Sequence, residues 1–141
     1  MKWTRRNVCA LMPALLAFSR LSAQESKALS SKVYTFDELP VRTGNPVIRN
    51  ILSGSLHDGF QISLHESDLG PNSIPHEPHR HEHEEMVLVL EGTLEFTING
   101  KPTRAGAGSV LFAGSNDLHG IRNPESTHAK YFVLALGPEN K

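Results

Sequence analysis

The 141-residue sequence predicts an all-β fold, an antiparallel sandwich or barrel of short strands. Three observations carry that reading. From residue 33 onward, short β-branched and aliphatic runs are interrupted at regular intervals by Gly, Pro and Asn. One run, 93–98, alternates Leu94, Phe96 and Ile98 with Thr93, Glu95 and Thr97, so it has a dry face and a wet face. No stretch of the same region has a helical period.

The strands are expected in this order. Val33-Tyr34-Thr35-Phe36 is a β-branched and aromatic run. Residues 47–53 follow Pro46, and 60–69 lie between Gly59 and Gly70. A short strand over 79–81 follows Pro78, and 86–91 stops at Gly92. Residues 93–98 end at Asn99-Gly100, the pair favoured in a two-residue type I′ hairpin because both positions take φ > 0. Residues 110–112 lie between Gly108 and Gly114, 119–123 stop at Pro124, and 130–136 stop at Gly137, which completes the set. Met86-Val87-Leu88-Val89-Leu90 is apolar on both faces, so both need cover, from a second sheet or a second subunit. A homodimer using Met86, Leu88 and Leu90 is the expectation.

The first residues differ from the rest. Lys2, Arg5 and Arg6 precede an apolar segment over 8–18, and Leu21-Ser22-Ala23 ends in small residues. That is the order of a secretory signal peptide over 1–23. The segment is shorter than the roughly 20 residues needed to span a bilayer. Thr4-Arg5-Arg6-Asn7-Val8 resembles a twin-arginine signal. Residues 24–32 read as a flexible, Ser-rich lead-in, and 33–137 as a single domain with its motif core over 72–136. The mature protein is expected to be exported, periplasmic or secreted, and not held in a membrane. Removing 1–23 leaves 10 basic against 15 acidic side chains, a net charge near −5 with neutral His. No Lys/Arg cluster suggests nucleic acid. The single cysteine, Cys9, lies in the signal, which excludes disulfides, thiolate ligands and a Cys nucleophile from the mature chain. A Gly-x-Ser-x-Gly elbow and a phosphate-binding glycine loop are both missing.

Chemistry concentrates between His79 and His119. His79 and His81 are two apart, so on a strand their imidazoles share a face. Glu85 has the same parity but would lie about 13 Å further along a straight strand, at roughly 3.3 Å per residue. One metal needs its ligands within about 2.0–2.3 Å, so the chain must turn between His81 and Glu85. Glu82-His83-Glu84 is polar enough to be that turn, which turns His83 toward water. With His119, the set offers three imidazoles and one carboxylate, suited to a mononuclear Fe, Mn, Zn, Ni or Cu ion. His57, His65 and His128 have no partner at ligand spacing; His76 belongs either to the pocket mouth or to an insert.

These residues resemble the two motifs of the cupin superfamily, in particular its small single-domain, RmlC-like members. His79-x-His81-x3-Glu85-x6-Gly92 matches the first motif, with the leading glycine displaced to Gly70. Gly108, Gly114 in place of Pro, Asn116 in place of Gly, His119 and Asn123 match the second. Asn tolerates φ > 0 and can replace a turn glycine. The resemblance implies a double-sheet jelly-roll barrel, a metal held by His79, His81, Glu85 and His119, and a structural role for Asn123. Four ligands leave up to two open positions on an octahedral ion, as catalysis needs. The leading expectation is a metal-dependent oxidoreductase, dioxygenase-like, acting on a small oxygenated organic molecule, with Phe60, Ile62, Phe112 and Phe132 as pocket walls. The rivals are a non-enzymatic small-molecule or carbohydrate-binding module and a metal-free sugar isomerase or epimerase. The last needs a His/Tyr pair, and neither Tyr34 nor Tyr131 adjoins a motif His.

Overall fold

The computed structural model describes residues 28–138. The expected signal over 1–23 and the first residues of the lead-in, 24–27, lie outside them. Nine strands follow in chain order: β1 (Val41–Arg42), β2 (Val47–Ser55), β3 (Gln61–Leu69), β4 (Glu84–Glu91), β5 (Thr93–Ile98), β6 (Lys101–Gly106), β7 (Val110–Ala113), β8 (His119–Arg122) and β9 (Ala129–Leu136). All ladders are antiparallel. They form a six-stranded sheet, β1-β2-β3-β9-β4-β7, and a three-stranded sheet, β6-β5-β8. The two sheets do not join into one closed ring; the fold is a double-sheet jelly roll. No helix among the described residues is long and apolar enough to cross a membrane.

The core lies between the sheets, where the inward parity of each strand meets: Val87, Val89, Leu111, Tyr131 and Val133 from the large sheet, Leu94, Phe96 and Ile121 from the small one. Leu94 and Phe96 are buried and Ile98 packs against the cluster, as the alternation of 93–98 requires. At the predicted hairpin, Asn99 and Gly100 take φ of 47° and 82°. Asn123, fully buried, donates to the carbonyls of Leu69, Gly70 and Thr127 and accepts from the Glu125 amide. It ties the end of β3 to the loop after β8, a structural task.

Several elements differ from expectation. Residues 33–36 form no strand; a single 3₁₀ turn occupies Phe36–Glu38 and the paired segment is β1 further on. Residues 79–81 make only an isolated bridge, His79 to His119. β6 was not anticipated, because Lys101-Pro102-Thr103-Arg104 has no apolar alternation and only Ala105 is buried. It is an edge strand, where Pro costs no ladder bond if its missing N–H would face outward. β4 is fully buried on one face only: Val87 and Val89 are buried, whereas Met86, Leu88 and Leu90 are 37–38% exposed. Among the described residues no second sheet lies over them.

Candidate metal centre

His79 and His119 face each other through reciprocal backbone hydrogen bonds, His79 N–H to His119 O and His119 N–H to His79 O, both 3.0 Å. Their approach depends on Gly120: a Cβ there would stand 2.9 Å from Pro78 Cγ, so a side chain would push the 78–79 segment off β8. His81 follows two residues after His79, and its carbonyl accepts from the Asn116 amide at 2.8 Å. Asn116 has φ of 61°, the left-handed turn for which it stands in place of glycine. The Asn99 side chain accepts from the Leu118 amide and donates to Asp117, so the β5–β6 hairpin braces the loop that presents His119. After His81 the chain bends at Glu82 and His83 before entering β4, which brings Glu85 back to the same point.

The result is one cluster. One ring nitrogen each from His79, His81 and His119 lies within 4.8 Å of the others. Glu85 presents one carboxylate oxygen 3.7 Å from His81 Nε2 and the other 3.9 Å from His119 Nε2. His81 Nδ1 contacts the His83 carbonyl at 2.7 Å and His119 Nδ1 the Asp117 carbonyl at 2.9 Å. A carbonyl only accepts, so each Nδ1 carries the proton and each Nε2 keeps its lone pair for the cluster, an arrangement typical of metal-binding imidazoles. His79 Nδ1, His81 Nε2 and His119 Nε2 are buried with no hydrogen-bond partner among the described residues. Orphaned buried nitrogens are costly, at about 1–3 kcal/mol each. A metal ion satisfies all three, so the donor set fits one.

His83 does not face open water as expected. It is half-buried and stacks on His81, with ring centres 3.6 Å apart and planes 7° from parallel. A second donor group, His81, His83 and Glu85, is therefore conceivable on distance alone. Imidazole binds in its ring plane, and nearly parallel planes do not meet at one ion. The planes of His79, His81 and His119 cross at 49–73° and do converge. Burial, reinforced by His76, His119 and His81 around it, pushes the His79 imidazole down from 6.5 to about 4, which keeps it neutral.

Beside the cluster lies a cavity of about 180 Å3, walled by Pro46, Ile48, Pro75, Ile121 and Val133 and carrying Arg42, His65, Ser67, His76, Glu85 and Tyr131. The expected walls are displaced. Phe60 and Phe112 are 45% and 50% exposed. Ile62 and Phe132 belong to the outward parity of β3 and β9, since the alternate positions Ser67 and Leu69 on β3 and Tyr131 and Val133 on β9 are the ones that face inward. Which parity points inward is set by the partner strand, and short apolar runs do not reveal it. His65 and Tyr131, which have no motif partner in the sequence, line the cavity for the same reason. His76 stands at the mouth, its ring edge-on to His79 at 4.4 Å. Burial pushes the Tyr131 phenol up to about 12, helped by the Glu85 charge and opposed by a hydrogen bond with Ser67. His128 is spent on Asp68, 2.7 Å away, and His57 is exposed.

The family described as Cupin domain matches residues 65–135, which hold all four clustered side chains. Among solved structures, a predicted oxalate decarboxylase from Thermotoga maritima is similar with a TM-score of 0.68 at 22% identity, over 76% of this chain and 100% of that one. KdgF from Halomonas sp. gives 0.68 at 15% identity, over 79% and 97%. The polyketide cyclase RemF from Streptomyces resistomycificus gives 0.61 at 22% identity, over 76% and 80%. At such identities the likeness establishes the fold and not the reaction. No curated protein matches the sequence.

Proposed function

This chain belongs to the cupin domain family, and from that premise we propose that it is an exported protein holding one divalent transition metal on His79, His81, Glu85 and His119, and acting as a dioxygenase-like oxidoreductase on a small oxygenated organic molecule. The observation that carries the metal reading is the trio of buried, unpartnered ring nitrogens, two of which, on His81 and His119, stand 3.7 and 3.9 Å from the Glu85 carboxylate. Export rests on the basic, apolar and small-residue order of residues 1–23. An ion with open positions supplies Lewis-acid polarisation of a substrate oxygen and a binding place for dioxygen. The chain's own part is to aim the donors through the His83 and Asp117 carbonyls, to exclude water with Ile121 and Val133, and to keep a neutral Tyr131 hydroxyl in the cavity.

The test is metal content. Purified protein should hold about one transition metal per chain by plasma mass spectrometry. His119→Ala and His79→Ala should lose it, whereas His83→Ala should keep it, because the His83 backbone carbonyl rather than its ring orients His81. Stoichiometric metal in His119→Ala would overturn the assignment. Nitric oxide giving an EPR signal on the Fe(II) form supports an open, catalytic position; a centre that admits no exogenous ligand favours a binding module. One observation favours a second reading. Tyr131 shares its cavity with His65 and His76, the side-chain types a metal-free isomerase requires, and metal-free protein active on sugars would decide for it.

The outer face of the large sheet supports a homodimer. Met86 stands between Phe112 and Leu134, and Leu88 between Val110 and Phe132, in one cross-strand apolar field. Phe112 and Val110 are at least half exposed. Contiguous apolar surface of this kind marks a contact site.

A further inference from the structure

The cavity beside the cluster has a polar side whose order is set by strand register. Arg42 stands opposite Ile48, Ile48 opposite Ser67, and Ser67 opposite Tyr131. Residues directly opposite share a face of the sheet, so these four side chains form one row across β1, β2, β3 and β9. All four line the cavity that also contains Glu85. The row begins with a guanidinium at the sheet edge and ends with a phenol hydrogen-bonded to Ser67.

Arg42 differs from the other described arginines. Arg49 pairs with Glu66 at 3.2 Å, Arg104 with Glu125 at 3.2 Å, Arg122 reaches Glu95 at 4.0 Å, and Arg80 donates to the Asn116 carbonyl. Arg42 has no ion pair or hydrogen bond among the described residues. A guanidinium cannot be neutralised by losing its proton, and its fork matches the two oxygens of a carboxylate. An unpaired arginine beside apolar walls and hydroxyl donors is the charge pattern complementary to a small organic anion. The cavity, at about 180 Å3, is smaller than the roughly 300–1,000 Å3 of sites that take drug-sized ligands, so the guest is small.

We propose that the cavity binds a small carboxylate-bearing molecule whose carboxylate pairs with Arg42 while its other polar end reaches toward the His79, His81, Glu85, His119 cluster. Arg42 is then the specificity-determining residue for an anionic substrate class, with Ser67 and Tyr131 as hydroxyl anchors along the row. The proposal rests on the metal-site reading for the identity of the inner end alone. The bland role for Arg42 is to guard an edge strand against pairing with other chains, which requires charge but no ligand preference.

Calorimetric titration separates the two. The probes are malonate and its neutral diamide, malonamide, against purified protein whose metal content is measured on the same sample. Malonate should bind at least tenfold more tightly than malonamide. Arg42→Gln should remove about tenfold or more of the malonate affinity, leave malonamide unchanged, and leave metal content unchanged. Arg42→Lys should recover part of the loss, since it restores the charge without the fork. Arg42 is exposed on a two-residue edge strand, so these variants retain the fold, and a thermal melt verifies it. Equal binding of the two probes, undiminished malonate affinity in Arg42→Gln, or no binding of either probe would overturn the proposal. Arg42-dependent malonate binding by protein without metal would uphold it and overturn the metal reading instead.

Discussion

Gly92 closes the turn between β4 and β5, the point where the strand carrying Glu85 passes to the strand that pairs with β8 and His119. Its φ is +76°, and a Cβ built there would lie 2.8 Å from the His128 carbonyl oxygen and 3.1 Å from Ala129 Cα. Both neighbours are backbone at the start of β9, so neither yields without moving the strand. Gly92→Ala therefore incurs two penalties. The left-handed conformation costs an L-residue about 1–2 kcal/mol, and forcing an extra methyl against packed backbone adds about 1–3 kcal/mol. Gly100→Ala is the internal control. Its φ is +82°, yet nothing lies within 4 Å of the added carbon, so only the conformational cost applies. Urea unfolding should show Gly92→Ala losing about 2–5 kcal/mol and Gly100→Ala about 1–2 kcal/mol, with the slope m unchanged in both. For a domain of this size the Gly92 loss corresponds to a melting temperature lower by about 10 °C or more. A Gly92 variant no less stable than the Gly100 variant would refute the argument that close strand approach, rather than turn conformation alone, demands glycine there.

Asn123→Ala removes a buried amide that bonds to three carbonyls and one amide N–H, and should cost about 2–4 kcal/mol in the same assay without altering the ligand set; a change below 0.5 kcal/mol would contradict its bracing role. In chelator-treated protein, His79 binds its proton near pH 4 when folded but near 6.5 when unfolded, so the unfolded chain takes up more protons between those values and stability falls as pH drops through that window. Denaturation midpoints from pH 7 to 4.5 should fall less steeply in His79→Gln than in the wild type, and identical slopes would contradict this. Leu88→Asp on the outer face of β4 should convert a dimer into a monomer in light scattering at micromolar concentration; a wild-type protein that is already monomeric would dismiss the interface.

Local physics made much of this protein readable in its sequence. The two-residue period of a strand placed Leu94 and Phe96 inside, and the preference of Asn-Gly for positive φ placed the hairpin at 99–100. The spacing of His79, His81 and Glu85, with the turn forced between them, anticipated that the structure would gather these side chains with His119. Residue identity and spacing are enough in such cases, because ligand chemistry and short-range geometry decide the outcome. Other features depend on partners far away in the chain. β6 exists because β5 offers it a ladder, not because 101–106 favours a strand. Phe112 and Phe132 point outward because pairing sets Glu85 opposite Ala113 and Val133 opposite Val87, so their own parity is the solvent side. His83 lies flat on His81 through a bend whose angle no propensity states. Arg42, Ser67 and Tyr131 enter one cavity only when three ladders align in register, and a shift of one residue in any of them would turn that row to the opposite face.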